Sequence, residues 1–496
     1  MEGESLREPL LKKVYYKNCP GCRTERLKDA QKGVPFRLLS FIWLCSLCSA
    51  LPVAFLFPFL YFMIRDLHIA KRVEDIGFYA GFVGSSFMIG RALTSTLWGM
   101  AADRYGRKPI IMIGTFSVLI FNMLFGLSTN YSMALSTRFI LGGFNCVLGS
   151  IRAYAAEICR DEYRALGQSV VSTSTSIGVI MGPAIGGYFA QPAEKFPHIF
   201  SKSSLFGRYP YFLPCLAISI LSGCVFIACF WLPETLHMHS KENEQSNDAH
   251  EAPSYGSDEK EAIKETTEKE SSSTDENLLK NWPLMSTIIL YCVFSLHDFA
   301  FSEIFSLWAV SGKKYGGLSF TSQAVGQVHA ISGFGILLFQ FFVFPPEKSP
   351  GPIMVTRVSA ILSIPLTQSF PFIAALSGLS LDLILNVVCI FKNALSVSIM
   401  TGLFILQNVA VPQHQRAAAN GISMTLVSLF KAFGPAGGGV LFSWAQKRLD
   451  ASFLPGEHLV FFVLTVITFI GVLMTFKPFL PPPREWKIFR GKVPTL

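Results

Sequence analysis

Long apolar runs separated by short polar, cation-bearing connections dominate the chain, and the run lengths set the reading. A helix needs about 20 mostly apolar residues to cross a bilayer core. Runs of that order occur at 37–64, 77–101, 110–127, 132–155, 166–190, 210–232, 284–310, 322–344, 352–372, 381–410, 417–443 and 458–477. A membrane barrel would show short alternating segments instead, so the pattern predicts an all-α polytopic membrane protein with about twelve transmembrane helices. Composition agrees: 51% of residues are hydrophobic, 15% are charged and the mean hydropathy is +0.42, too apolar for an ordinary soluble domain.

Charge placement adds orientation. With the N-terminus inside, the cytoplasmic segments carry about 26 Lys and Arg and the opposite loops about 10, which puts both termini in the cytoplasm by the positive-inside rule. Segment 1–36 is a polar, basic tail, and the first apolar run is too long for a removed signal peptide and lacks its small-residue cleavage site. The net charge of +9 is accounted for by loops facing anionic lipid, so no nucleic-acid partner is expected.

One stretch breaks the pattern. Residues 240–281 have almost no large apolar side chains and cannot bury enough surface to offset chain ordering. They predict a disordered cytoplasmic linker spanning 233–283, a place for regulators to bind, between six-helix bundles at 37–232 and 284–477, with a C-tail at 478–496. The bundles are pseudo-repeats. GPAIGG from Gly182 to Gly187 reappears as GPAGGG from Gly434 to Gly439, and Arg164 and Arg416 each precede the motif proline by 19 residues. An offset of 252 therefore superimposes Pro183 on Pro435 and the fifth helix on the eleventh. Small residues let helix backbones approach closely in lipid. The duplicated register points to a moving interface involving Gly178, Gly182, Pro183, Gly186, Gly187, Gly434, Pro435 and Gly438, with tight packing alone as the alternative.

Ionisable residues inside apolar runs cost about 2.5–3.5 kcal/mol each on insertion scales, so each suggests function. They are Arg91, Arg138, Arg152, His297, Asp298, Glu303, Arg357, Lys392 and Lys431. Arg152 and Arg357 lie near cytoplasmic ends and can snorkel. The seventh run, SLHDFAFSEIFSLW, offers Asp298 as the leading proton carrier, then Glu303 and His297; at 100° per residue the three point in different directions. An interhelical salt bridge is the competing role for Asp298. Arg138, Lys392 and Asn393 are candidates for holding an anionic substrate, and Lys431 for acting at the interface between halves.

Between the second and third runs lies WGMAADRYGRKP, a turn of few residues holding Asp103, Arg104, Gly106, Arg107 and Lys108. The Asp103 carboxylate can meet a helix terminus or a guanidinium in one conformer and lose it in another, which makes the turn a gating candidate. Cys19 and Cys22 form a CxxC pair, half of a four-ligand metal site that His237 and His239 could complete as a regulatory centre. An unstructured tail with a reduced thiol pair is the alternative. The remaining cysteines read largely as small apolar residues, not a disulfide framework.

Four features taken together carry a resemblance. WGMAADRYGRKP resembles the loop signature of the major facilitator superfamily, Arg138 with Gly142 resembles its fourth-helix motif, and Gly178 to Gly187 resembles its antiporter motif. Cys19-Pro-Gly-Cys22, Ser169 and Pro233-Glu-Thr-Leu-His237-Met-His239 narrow the likeness to the plant zinc-induced facilitator-like family. The second-half loop FPPEKSPGP departs from the signature, so an interlock made by it is one-sided. The resemblance implies a major facilitator fold and a proton-coupled antiporter on the vacuolar or plasma membrane. It implies export from the cytosol, by alternating access, of metal chelators such as nicotianamine or phytosiderophores, or potassium or auxin-related fluxes. A transporter-like sensor or scaffold is the alternative from another class. No nucleotide loop or nucleophile–base set indicates an ATP-driven pump or an enzyme, and no cofactor is expected; the partners are lipid, protons and a small solute.

Overall fold

The computed structural model describes residues 15–16, 19–30, 33–145, 147–160, 163–236, 278–342, 351–411 and 415–481. A short helix, α1 (Pro20–Ala30), precedes the membrane region. The first half then contains α2 (Phe36–Ala54), α3 (Phe57–Asp66), α4 (Ile76–Tyr105), α5 (Arg107–Gly126), α6 (Tyr131–Phe144), α7 (Val147–Ile158), α8 (Arg164–Phe189) and α9 (Phe212–Cys229). The second contains α10 (Trp282–Val310), α11 (Ser322–Phe342), α12 (Pro352–Ile373), α13 (Gly378–Val409), α14 (Arg416–Gln446) and α15 (Glu457–Met474). Most of the expected linker lies outside the described residues.

Two of the expected runs are broken. The run 37–64 divides into α2 and α3 just after Pro52, which cannot donate to the helix ladder. The run 132–155 divides into α6 and α7 at Asn145. That buried amide is held by α2: Ser49 Oγ donates to Asn145 Oδ1 at 2.7 Å and Asn145 Nδ2 donates to the Ser49 carbonyl at 2.9 Å. Among the described residues, eleven spans are long and apolar enough to cross a membrane. The remaining expected one is α11, a helix of 21 residues that carries Gln323, Gln327 and His329 in its first half.

Packing explains why the glycine motif occurs twice. α8 lies against α2 within its own half and crosses to α11; α14 lies against α10 and crosses to α4. A Cβ built at Gly182 would come 2.9 Å from the Leu51 carbonyl, and one at Gly178 2.6 Å from Ala50 Cβ, both on α2. Gly434 meets Ala300 and Phe299 of α10, and Gly438 meets Ala300 and Ile304. Gly186 packs on Phe55, between α2 and α3. The crossing contacts belong to the end of each motif and to its proline. Gly187 meets Ser322 and Gly326 of α11, whereas Gly439 meets Gly77 and Gly81 of α4; the carbonyls of Pro183 and Pro435 face the same partners. Most motif glycines therefore pack within their own half, and the last glycine and the proline carbonyl of each motif face the other half.

These crossings seal one end of the molecule. The terminal face carries α1, the start of α2 and the end of α15; the far face is opposite. At the far face Lys447 Nζ meets Asp75 Oδ1 at 2.6 Å, Tyr315 donates to Glu74 Oε1 at 3.2 Å, and Ser443 donates to the Glu74 carbonyl. Lys195 Nζ donates to Ser322 Oγ at 2.9 Å and to the Gly187 carbonyl at 2.5 Å. Deeper in, Ser85 Oγ donates to the Ala432 carbonyl at 2.5 Å and accepts from Ala436 N at 2.7 Å. A hydroxyl from one half therefore stands inside the helical ladder of the other beside Pro435, a recognised cause of helix distortion.

Candidate transport site

The second half brings together residues that lie 94 positions apart. Asp298 on α10 and Lys392 on α13 form an ion pair at 2.9 Å, and Ser396, one turn further along α13, donates to the same Asp298 oxygen at 2.6 Å. The Lys392 side chain is 2% exposed and Asp298 31% exposed, so the pair is sealed on the ammonium side and open on the carboxylate side. Lys392 Nζ also sits 3.7 Å above the Phe301 ring, which helps hold a cation away from water. His297 lines a small cavity with Lys392, Ser396, Ser363, Phe294, Ile399 and Met400. Its buried Nε2 has no hydrogen-bond partner among the described residues. Asn393 is half-buried next to this group.

The other candidates are elsewhere. Glu303 is 1% exposed, its Oε2 has no hydrogen-bond partner among the described residues, and it reaches the crossing of α10, α4 and α14: a Cβ at Gly84 would lie 3.2 Å from that oxygen and 3.1 Å from Pro435 Cβ. It does not line the cavity of His297 and Lys392. Arg138, expected to hold a ligand, is 0% exposed inside the first half. It donates to the Pro52 carbonyl at 2.8 Å and lies among the rings of Phe55, Phe87 and Phe125, so its visible work is to stabilise the break in the first helix. Lys431 stands over the Phe299 ring at 4.8 Å. Arg357 is tied to the Thr475 carbonyl at 2.7 Å.

On the terminal face the acidic turn is organised by a residue that sequence reasoning did not single out. Gly106 has φ +105°, a conformation that disfavours a side chain, and a Cβ there would collide with the Glu234 carboxylate. Glu234 accepts from the backbone N–H of Arg107 at 3.0 Å and of Lys108 at 3.1 Å, so it satisfies the start of α5, where an anion is favoured. Asp103 pairs with Arg107 at 2.7 Å but is 68% exposed, and Arg107 also reaches Glu157 at 3.3 Å. Lys108 Nζ donates to the Phe230 carbonyl, while Arg104 is exposed beside Tyr105. The legible signal was the Glu of Pro-Glu-Thr-Leu, placed directly after a membrane helix.

The tail helix docks on the same structure. Gly21 N donates to the Leu236 carbonyl at 3.0 Å, Thr24 Oγ1 to the Glu234 carbonyl at 2.7 Å, and Arg160 Nε to the Lys28 carbonyl at 3.0 Å. Cys19 and Cys22 are buried, and burial pushes the Cys22 thiol up. This part of the tail is consequently a docked element and not an unstructured one. His237 and His239 lie outside the described residues, among which no group of three or more metal-ligating side chains occurs.

Two pseudo-repeated helical bundles meeting along α4–α14 and α8–α11, with the Asp298–Lys392 ion pair set inside lipid-spanning helices, define a membrane transporter. Residues 42–435 match the model of the Major Facilitator Superfamily. Solved structures support the fold: a D-xylose–proton symporter superposes with TM-score 0.63 at 14% identity, covering 90% of this chain and 98% of that one. A bacterial homologue of the human lysosomal transporter Spinster does so with TM-score 0.62 at 14% identity, covering 90% and 97%. The chain belongs to this superfamily and, within it, to the zinc-induced facilitator family. From Arabidopsis thaliana, protein zinc induced facilitator 1 is 56% identical over 97% of this chain and 100% of its own length, and zinc induced facilitator-like 1 is 54% identical over the same shares. A protein described as a probable peptide/nitrate transporter, also from Arabidopsis thaliana, is 60% identical over 97% and 99%.

Proposed function

We propose that this transporter is a proton-coupled antiporter that moves a small organic anion, a carboxylate-rich metal chelator such as nicotianamine or a phytosiderophore, free or as its metal complex, out of the cytosol. The observation that carries the proposal is the Asp298–Lys392 pair. In it, a carboxylate reachable from the cleft neutralises an otherwise buried ammonium. A cationic group of the substrate, an amine or a chelated metal, can pair with the Asp298 carboxylate while its carboxylates meet Lys392, and a proton delivered to Asp298 removes the charge that this pairing needs. Proton and substrate then compete for one carboxylate, the thermodynamic condition for exchange. In this reading the terminal face is cytoplasmic, the membrane is vacuolar or plasma, and the sealed far face describes a carrier open towards the cytosol.

Asp298→Asn tests it because the amide keeps size and one acceptor oxygen while removing the titration. Substrate flux and internal pH are measured together in proteoliposomes of controlled orientation, with a panel of labelled chelators. The expected result is retained substrate binding with loss of accumulation driven by a pH gradient. A purely structural pair forecasts a different loss: removing one member of a buried pair costs about 3–5 kcal/mol of stability with no selective effect on coupling. Wild-type proton-driven accumulation in Asp298→Asn would falsify the assignment, leaving Glu303→Gln as the parallel test.

A further inference from the structure

A second group of charges lies where the two halves begin to separate. α4 and α14 run in opposite directions along their seam, with Gly81 beside Pro435 and Gly439, and Ser85 beside Ala432 and Ala436. Continuing this register towards the terminal face sets Arg91 of α4 opposite the segment of α14 between Met424 and Lys431. Arg91 is two turns below Gly84, and Lys431 two turns above Met424, so each pair shares a helix face. From the first half, Arg152 of α7 reaches Met424 Sδ at 3.7 Å. All three cations are half-buried. Arg91 and Arg152 lie within electrostatic reach of Lys431, as do Asp298 and Cys292 of α10, and Tyr291 faces Arg152. Asp298 is the carboxylate in that group, and it is engaged by Lys392 and Ser396.

We propose that Arg91, Arg152 and Lys431 form an anion-binding site that straddles the two halves, and that a solute bearing at least two carboxylates bridges it when the terminal face closes. Arg91 and Arg152 belong to one half and Lys431 to the other. Bringing them together in a water-poor cleft is opposed by like-charge repulsion, which an intervening polyanion converts into attraction. Closure then requires cargo, which suppresses empty return of the carrier. The proposal rests on the carrier reading above but concerns different residues from the proton-linked pair.

Purified protein in nanodiscs is titrated with citrate as a polycarboxylate probe, with its uncharged trimethyl ester as control. Citrate is expected to bind and the ester not to. Arg91→Gln, Arg152→Gln and Lys431→Gln should each weaken citrate binding by about tenfold or more, the scale of one charge-assisted contact. Lys431→Arg should restore it to within about threefold, separating charge from folding damage. Citrate should also protect a cysteine introduced at Thr425 from labelling in the wild-type background, with less protection at equal concentration in Lys431→Gln. Absence of citrate binding to the wild type, equal binding of the ester, or unchanged affinity in folded Gln variants overturns the site. If that occurs while Asp298→Asn still abolishes proton coupling, the antiporter reading survives and this site alone is lost.

Discussion

Gly187→Ala adds a single methyl group at the seam between α8 and α11. The new Cβ would lie 2.5 Å from the Ser322 carbonyl oxygen and 2.6 Å from Gly326 Cα, both backbone atoms, where ordinary contact begins at 3.4 Å. Relief therefore needs a separation of about 0.9 Å between two helices from different halves, because no side chain can rotate away. Overpacking of this kind costs about 1–3 kcal/mol. Since the contact exists with the far face sealed, that cost falls on the sealed state and shifts the sealed-to-open ratio by about 5- to 150-fold. The assay is maleimide labelling from the far side of Val325→Cys, a fully buried seam position, with exposed Cys224 replaced. Gly437→Ala supplies an in-motif control, since its Cβ would meet nothing within 4 Å, and Gly182→Ala supplies an own-half control. Gly187→Ala should increase labelling, Gly437→Ala should leave it unchanged, and Gly182→Ala should lower thermal stability without changing it. Equal labelling of folded Gly187→Ala and wild type would show that this glycine does not set the seam.

Two further outcomes follow from the terminal and far faces. Glu234→Gln keeps the shape of the acceptor at the start of α5 but removes its charge, and should cost about 0.5–2 kcal/mol by the usual scale for a lost cap. Asp103→Asn, at an exposed i,i+4 pair, should cost less than about 1 kcal/mol; a thermal-stability series in which Asp103→Asn is the more damaging contradicts the assigned roles. At the far face, burial lowers the Lys195 ammonium to about 8, from an ordinary 10.5. When the face opens and Lys195 is hydrated, its ordinary value returns. Between these values the open form binds a proton that the sealed form lacks, so rising pH should favour sealing across about 8 to 10.5, with little change below 8. Lys195→Met should flatten the pH profile of Val325→Cys labelling, and an identical profile in both proteins counts against the latch.

The candidate site was legible in its parts and not in its pairings. Asp298, Lys392 and Glu303 stood out because charge in an apolar run is costly, a local property. That Asp298 is neutralised by Lys392 while Glu303 stands at the α4–α14 seam depends on how α10, α13 and α14 rotate about their axes. Arg138 shows the converse: its position suggested a ligand, but the aromatic rings that enclose it come from the α2–α3 break, α4 and α5. Glu234 was passed over since it carries no local anomaly large enough to announce it. Ser85 is an unremarkable serine until Pro435 is placed beside it.

What the sequence by itself determined is the set of helices, their division into equivalent halves, and the family. These follow from run length, a register repeated at an offset of 252 and contiguous signatures, all written along one dimension. Only the tertiary structure decided which glycine of each motif crosses between halves, which cation meets Asp298, and that the far face is sealed. The physical reason is that apolar solvation specifies that a helix enters the bilayer but does not distinguish lipid from a neighbouring helix as its surroundings. Close approach, hydrogen bonding and charge neutralisation among helices make that distinction, and each is a relation between residues far apart in the chain.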